Sequence, residues 1–124
     1  MKVDGGLGPD LSHDLGTFAA QAAEQEAAGY NGIWTAETNH DPFFPLLLAA
    51  GTTSDVDLGT GIAVAFSRSP MTLAATANDL QAFTSGRFIL GLGSQIKPHI
   101  EKRFSMPWSH PQPACASSSW RCVP

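Results

Sequence analysis

Glu37 and His40 stand three residues apart in Glu37-Thr38-Asn39-His40-Asp41, and this pair is where the sequence could move a proton. An imidazole titrates near neutral pH, so it can both deliver and accept a proton. The bland alternatives are a solvated loop histidine beside a helix cap, and a carboxylate that is surface-exposed or merely orients His40. A second polar cluster is Gly91-Leu92-Gly93-Ser94-Gln95. Its small residues let the backbone approach a planar ring or a sugar chain, and Ser94 and Gln95 offer hydrogen bonds. It lacks the G-x-x-x-x-G-K-[ST] pattern of a phosphate loop. His99, within Lys97-Pro98-His99-Ile100-Glu101, reads as an exposed loop residue, with a role at a cofactor edge as the alternative. Cys115 and Cys122 match no zinc or redox spacing, so no metal site is expected.

These residues need elements to position them. Short apolar runs recur at Val3, Gly32–Ala36, Leu58–Val64 and Arg87–Leu92. Each is uninterrupted rather than alternating, as in parallel strands buried on both faces. Helix signals fill the gaps. The first helix is expected from about Asp14 to Ala28, with Ser12 as N-cap and Gly29 as the left-handed residue beyond its end. The second follows Asp41 as cap, has Pro42 in its first turn, and carries Phe43 and Leu46 to Ala50. The third follows Ser69 with Pro70 in its first turn. Leu73, Ala77, Leu80 and Thr84 mark its inner face, with Phe83 alongside. Ser85-Gly86 then turns the chain into the fourth strand.

The resulting βαβαβαβ order with ~30-residue units suits either a closed barrel or an open doubly wound sheet. Gly5-Gly6-Leu7-Gly8-Pro9, at the first strand–helix junction, lacks the G-x-G-x-x-G fingerprint, which weighs modestly against the open sheet. The four strands end at Asp4-Gly5-Gly6, Glu37 to Asp41, Ala65-Phe66-Ser67-Arg68 and Ser94-Gln95-Ile96-Lys97. Parallel strands would gather those polar ends on one rim.

At 124 residues, with a net charge of −4 and 43% hydrophobic residues, the composition is that of one globular domain. The scattered acidic charge recruits neither a nucleic acid backbone nor an anionic membrane. No apolar run approaches the ~20 residues of a membrane span, and the N-terminus is not a signal peptide, so a cytoplasmic protein is expected. Residues 1–104 read as the domain. Residues 105–124 read as an irregular tail, interrupted by Pro107, Pro111, Pro113 and Pro124. Codons can be chosen for Pro113 to Val123 whose third-base frame spells an amphipathic helix. A frameshift between about Ser109 and Pro113 is therefore expected, to be decided by resequencing.

Three segments, in order, carry a family resemblance. They are Glu26-Ala27-Ala28-Gly29-Tyr30-Asn31-Gly32-Ile33-Trp34, then Leu58-Gly59-Thr60-Gly61-Ile62-Ala63-Val64 with Arg68-Ser69-Pro70, then Thr84-Ser85-Gly86-Arg87-Phe88-Ile89-Leu90-Gly91-Leu92-Gly93. Together they resemble the N-terminal half of luciferase-like monooxygenases, over Met1 to about His110. The resemblance implies an α/β fold, a partial TIM (β/α)8 barrel of about four βα units whose barrel is not closed. It also implies an oxidoreductase acting on a small organic substrate with a deazaflavin (coenzyme F-420), or with FMN as the alternative. A non-prolyl cis peptide at Gly61–Ile62 would back the ring. Cofactor contacts would come from Gly61, Ile62, Val64, Gly93, Ser94 and Gln95, and proton transfer from His40 and Glu37. A complete barrel takes ~250 residues. A truncated chain is therefore expected to be inactive alone and to self-associate through exposed strand edges, or to be a non-catalytic fragment with weak cofactor binding.

Overall fold

The computed structural model describes residues 1–8 and 16–108. Its strands are β1 Asp4–Gly6, β2 Gly32–Thr35, β3 Asp57–Thr60, β4 Ala63–Val64, β5 Phe88–Ile89 and β6 Leu92–Gly93. Its helices are α1 Thr17–Ala27, α2 Phe43–Ala50, α3 Pro70–Phe83 and α4 Lys97–Lys102. The main sheet has the order β1-β2-β3-β5, with every pairing parallel. Within this sheet each strand pairs with the sheet's next strand along the chain, so the order never reverses as it does in a doubly wound sheet. This is the singly wound start of a (β/α)8 barrel, not closed. A second parallel pair, β4 with β6, continues beyond the first sheet.

Local chemistry explains the helix ends. Ser69 Oγ accepts from the Thr72 amide at 3.2 Å and Pro70 opens α3, both as the sequence leads one to expect. Asp41 Oδ1 accepts from the Phe43 amide at 2.8 Å, so it caps α2 although the helix begins one residue later than expected. Gly29, at φ +86°, follows α1; the Tyr30 and Gly29 amides return to the carbonyls of Gln25 and Glu26. That pairing satisfies the last carbonyls of the helix. Ser12 and Asp14, expected at the start of α1, lie outside the described residues, as do His13, His110 and the tail from residue 109.

Register separates the two faces of the sheet. Gly5, Ile33, Leu58 and Phe88 form one row across it. Ile33 and Leu58 are fully buried there beneath Phe18 and Ala22 of α1, Leu46 and Ala49 of α2, and Leu73, Ala77 and Leu80 of α3. The opposite row is Gly6, Trp34, Gly59 and Ile89, where Ile89 is 41% exposed. Burial on both faces, expected from the apolar runs, holds along β3, where Leu58, Gly59 and Thr60 are all buried, but fails at Ile89 of β5. The uncovered face is the one a closed barrel would turn inward.

Three further expectations need correction. The run Arg87–Leu92 is two strands rather than one, because Gly91 turns aside to meet Thr60. The Thr60 hydroxyl donates to the Gly91 carbonyl at 2.8 Å and accepts from its amide at 2.9 Å. His99 lies in α4 rather than in a loop, with Ile100 buried beneath the helix. Phe83 does not join the inner face of α3; it is 68% exposed, while Thr84 is fully buried. No helix among the described residues is long and apolar enough to cross a membrane.

Candidate active site

All four strands of the main sheet run the same way, so their C-terminal ends share one edge, and β4 and β6 extend it. The extension begins at a break in the third strand. After Thr60 the chain passes through a cis peptide at Gly61–Ile62 and resumes as β4. Hydrogen bonds hold the break from the second strand. The Gly61 amide donates to the Thr35 carbonyl at 2.6 Å, and the Glu37 amide donates to the Ile62 carbonyl at 3.1 Å. Gly61 is exposed and Ile62 half-buried, so a peptide face and an apolar side chain are accessible at the rim. Gly61 has open space beside it, the nearest neighbour of a side chain there being the edge of the Trp34 ring at 3.8 Å.

Across from the break, Gly93 is buried in β6. A Cβ at Gly93 would overlap the Ile62 side chain, and one at Gly91 would overlap the Thr60 carbonyl. The small residues of the fourth strand thus serve, first of all, the chain's own packing against the bulge. Ser94 and Gln95 follow, half-buried. Gln95 adopts φ +56°, and its Oε1 lies 3.3 Å from both the Ile96 amide and His99 Nδ1. Val64 is buried in β4 beside Gly93.

Glu37 is no surface carboxylate: its side chain is 6% exposed. Oε2 accepts from the Val64 amide at 2.6 Å and pairs with the Arg68 guanidinium at 2.8 Å. The other terminal nitrogen of Arg68 pairs with Asp41 Oδ2 at 2.7 Å, and the guanidinium lies 5.1 Å above the Phe43 ring. Burial pulls the Arg68 pKa down, but the hydrogen bonds to Glu37 and Asp41 outweigh it and the net shift is upward. His40 lies elsewhere in the rim loop, lining a cavity of about 80 Å³ with Phe18, Asp41, Phe44, Pro45 and Leu48 at the seam of α1 and α2.

The sequence places Arg68 and Phe66 at the third strand's end but gives no role to Arg68 or to the aromatic pair Phe66–Trp108, whose ring centres lie 5.4 Å apart. Arg68 follows Val64 by four residues across a short 3-10 turn, Ala65–Ser67, which brings it back over Glu37. That geometry depends on the turn and has no signature in residue type. Among the described residues no group of three or more His, Cys, Asp or Glu could hold a metal ion. A larger cavity, about 740 Å³, runs along α3 and β5, lined by Met71, Ala74, Ala77, Phe88 and Leu90 among others.

Comparison with known proteins agrees with this fold. A family model described as luciferase-like monooxygenase matches residues 2–115. The uncharacterized protein Rv1360 of Mycobacterium tuberculosis is 56% identical over 111 residues, which is 90% of this chain and 32% of that protein. A 5,10-methylenetetrahydromethanopterin reductase of Methanolobus tindarius is 33% identical over 76 residues, 60% of this chain and 23% of that enzyme. Among solved structures, the coenzyme F420-dependent tetrahydromethanopterin reductase of Methanopyrus kandleri superposes with a TM-score of 0.76 at 23% identity, covering 95% of this chain and 38% of that one. The oxygenating constituent of 3,6-diketocamphane monooxygenase from Pseudomonas putida, in complex with FMN, superposes with a TM-score of 0.82 at 14% identity, covering 96% and 38%. The chain thus spans about a third of the length of the proteins it matches.

Proposed function

Given that the chain belongs to the luciferase-like monooxygenase family, we propose that it forms the cofactor-backing side of an oxidoreductase barrel that binds a deazaflavin or a flavin. The observation that carries this reading is the bulge at Gly61–Ile62. It presents an exposed peptide and an apolar side chain at the C-terminal rim, held from behind by Thr35 and Glu37. Chemistry in such barrels gathers at that rim.

The residues present fit a planar ring. Gly61 leaves room for close approach, Ile62 offers an apolar face, and Ser94 and Gln95 lie half-buried at the end of the neighbouring strand. Val64 and Gly93 would hold the adjoining backbone in place. When bound, a deazaflavin supplies hydride exchange, and reduced FMN supplies oxygen chemistry as well. The reductases among the similar proteins favour the deazaflavin, with FMN the alternative. The protein's part is to hold the ring flat against the bulge, to exclude water from one face, and to present the other face to a small organic substrate. His40 is proposed as the proton carrier of the rim loop. Glu37, already engaged by two donors, supports the bulge.

Four strand–helix units are fewer than a barrel requires, so the chain by itself should bind the ring weakly and turn over little or no substrate. Association of two copies through the open ends of the sheet is the second reading. It is favoured by Ile89 and the apolar groove along α3 and β5. Titration with coenzyme F-420 and with FMN, read by absorbance and fluorescence, tests the main reading. Saturable perturbation of either spectrum is expected, and none at millimolar protein would overturn it.

A further inference from the structure

Arg68 is the hub of a network that no proton-transfer role needs. Its guanidinium joins Glu37, from the end of the second strand, to Asp41, which caps α2. One terminal nitrogen also donates to Ser67 Oγ at 2.9 Å, and Ser67 Oγ donates to the Val64 carbonyl at 2.8 Å. The Glu37 carboxylate in turn accepts the Val64 amide. Both polar groups of the Val64 backbone are therefore reached by partners that touch Arg68. Glu37 also holds Ile62 through its own amide, so one residue grips the third strand at two positions, 62 and 64, on either side of Ala63.

A buried carboxylate keeps a fixed place only if its charge is matched, and a planar guanidinium holds two carboxylates in fixed directions through its two terminal nitrogens, where an ammonium is a point charge without that fork. Without Arg68, Glu37 would be left as an unpaired charge at 6% exposure and would be driven toward solvent, releasing Val64. Ile62 and the Gly61 peptide would lose their fixed height at the rim.

We infer that Arg68 is a positioning residue, acting through Glu37 to set the Gly61–Val64 segment against which the cofactor ring rests. The naming of the ring rests on the function proposed above; the clamp itself does not. Hydrogen exchange of the full chain separates the two. In Arg68→Gln, the Val64 amide should exchange at least tenfold faster than in the parent. The Leu58 amide, which donates to the Arg87 carbonyl of the core sheet at 2.9 Å, should be unchanged. Arg68→Lys should restore part of the protection, since an ammonium keeps the charge near Glu37 but lacks the two separate nitrogens that meet Glu37 and Asp41. Affinity for coenzyme F-420 or FMN, whichever the parent binds, read by fluorescence titration, should be lowest in Arg68→Gln and intermediate in Arg68→Lys.

An unmoved Val64 amide in Arg68→Gln overturns the inference, and so does an equal rise at Leu58, which would mean general loosening. Released Val64 with unchanged affinity for the cofactor that the parent binds, coenzyme F-420 or FMN, also overturns it. If the parent chain binds neither FMN nor coenzyme F-420, the proposed function fails, while faster exchange confined to Val64 still establishes the clamp.

Discussion

The Trp34 ring lies across Gly59 of the neighbouring strand, so that a single methyl group added to Gly59 would overlap its six-membered ring. The indole nitrogen donates to Asp4 Oδ2 at 3.1 Å, which fixes the ring at its other end on the first strand. One side chain thus ties β1, β2 and β3 together on the uncovered face of the sheet and reaches the edge of Gly61. Gly59→Ala should cost about 1–3 kcal/mol of stability, the usual range for overpacking a filled site. In a Trp34→Leu background the same substitution should cost much less. Urea unfolding of the four proteins measures the difference; equal costs in both backgrounds would mean that the ring does not occupy that space.

Acid should weaken the hold of Glu26 on the segment Ser54 to Val56, which leads into β3. Burial pushes the Glu26 carboxyl up, but the amides of Asp55, Val56 and Ser54, together with the nearby Arg87 cation, outweigh it and hold the pKa below the usual range. A carboxyl lowered in the folded state adds stability above its unfolded pKa, and that increment is lost as pH falls through the folded value. Glu26→Gln should therefore be less stable than the parent by about 1 kcal/mol at pH 7, the scale of one net hydrogen bond. The gap should close on acidification to below the ordinary carboxylate range. Thermal melts of both proteins across that interval check the sign.

Ile89 ends the strand order on the uncovered face, and β1 ends it on the other side. Open strand edges with apolar neighbours favour pairing between copies, and a lysine on such an edge opposes it. The parent should sediment as associated species whose size rises with concentration, and Ile89→Lys should shift the distribution toward the monomer. Identical distributions would place any association elsewhere.

Much of this architecture was legible in the sequence, and for stated reasons. Ser69-Pro70, Asp41-Pro42 and Gly29 mark helix ends through chemistry that acts within a few residues, so their types alone announce it. Leu73, Ala77, Leu80 and Thr84 sit on one helical face, and burial follows from that spacing. The bulge at Gly61–Ile62 was legible only through family resemblance, since nothing in the types Gly and Ile specifies a break. What stayed hidden depends on contacts between distant segments. Thr60 meeting Gly91 splits the fourth strand, and the Arg68–Glu37 pair spans 31 residues. Glu37 looked like a rim carboxylate because sequence carries no measure of burial. The exposure of Ile89 was hidden for a related reason: an apolar run records the burial that a complete barrel provides.

The central claim is that a planar redox cofactor rests on the third-strand bulge and the end of the fourth strand. Amide chemical shifts of the full chain, followed while coenzyme F-420 or FMN is added, test it most directly because they register weak binding residue by residue. The account predicts saturable shifts concentrated at Gly61, Ile62, Val64, Gly93, Ser94 and Gln95, and their loss in Ile62→Asp. Shifts confined to the α3–β5 groove, or none with either cofactor, would contradict it.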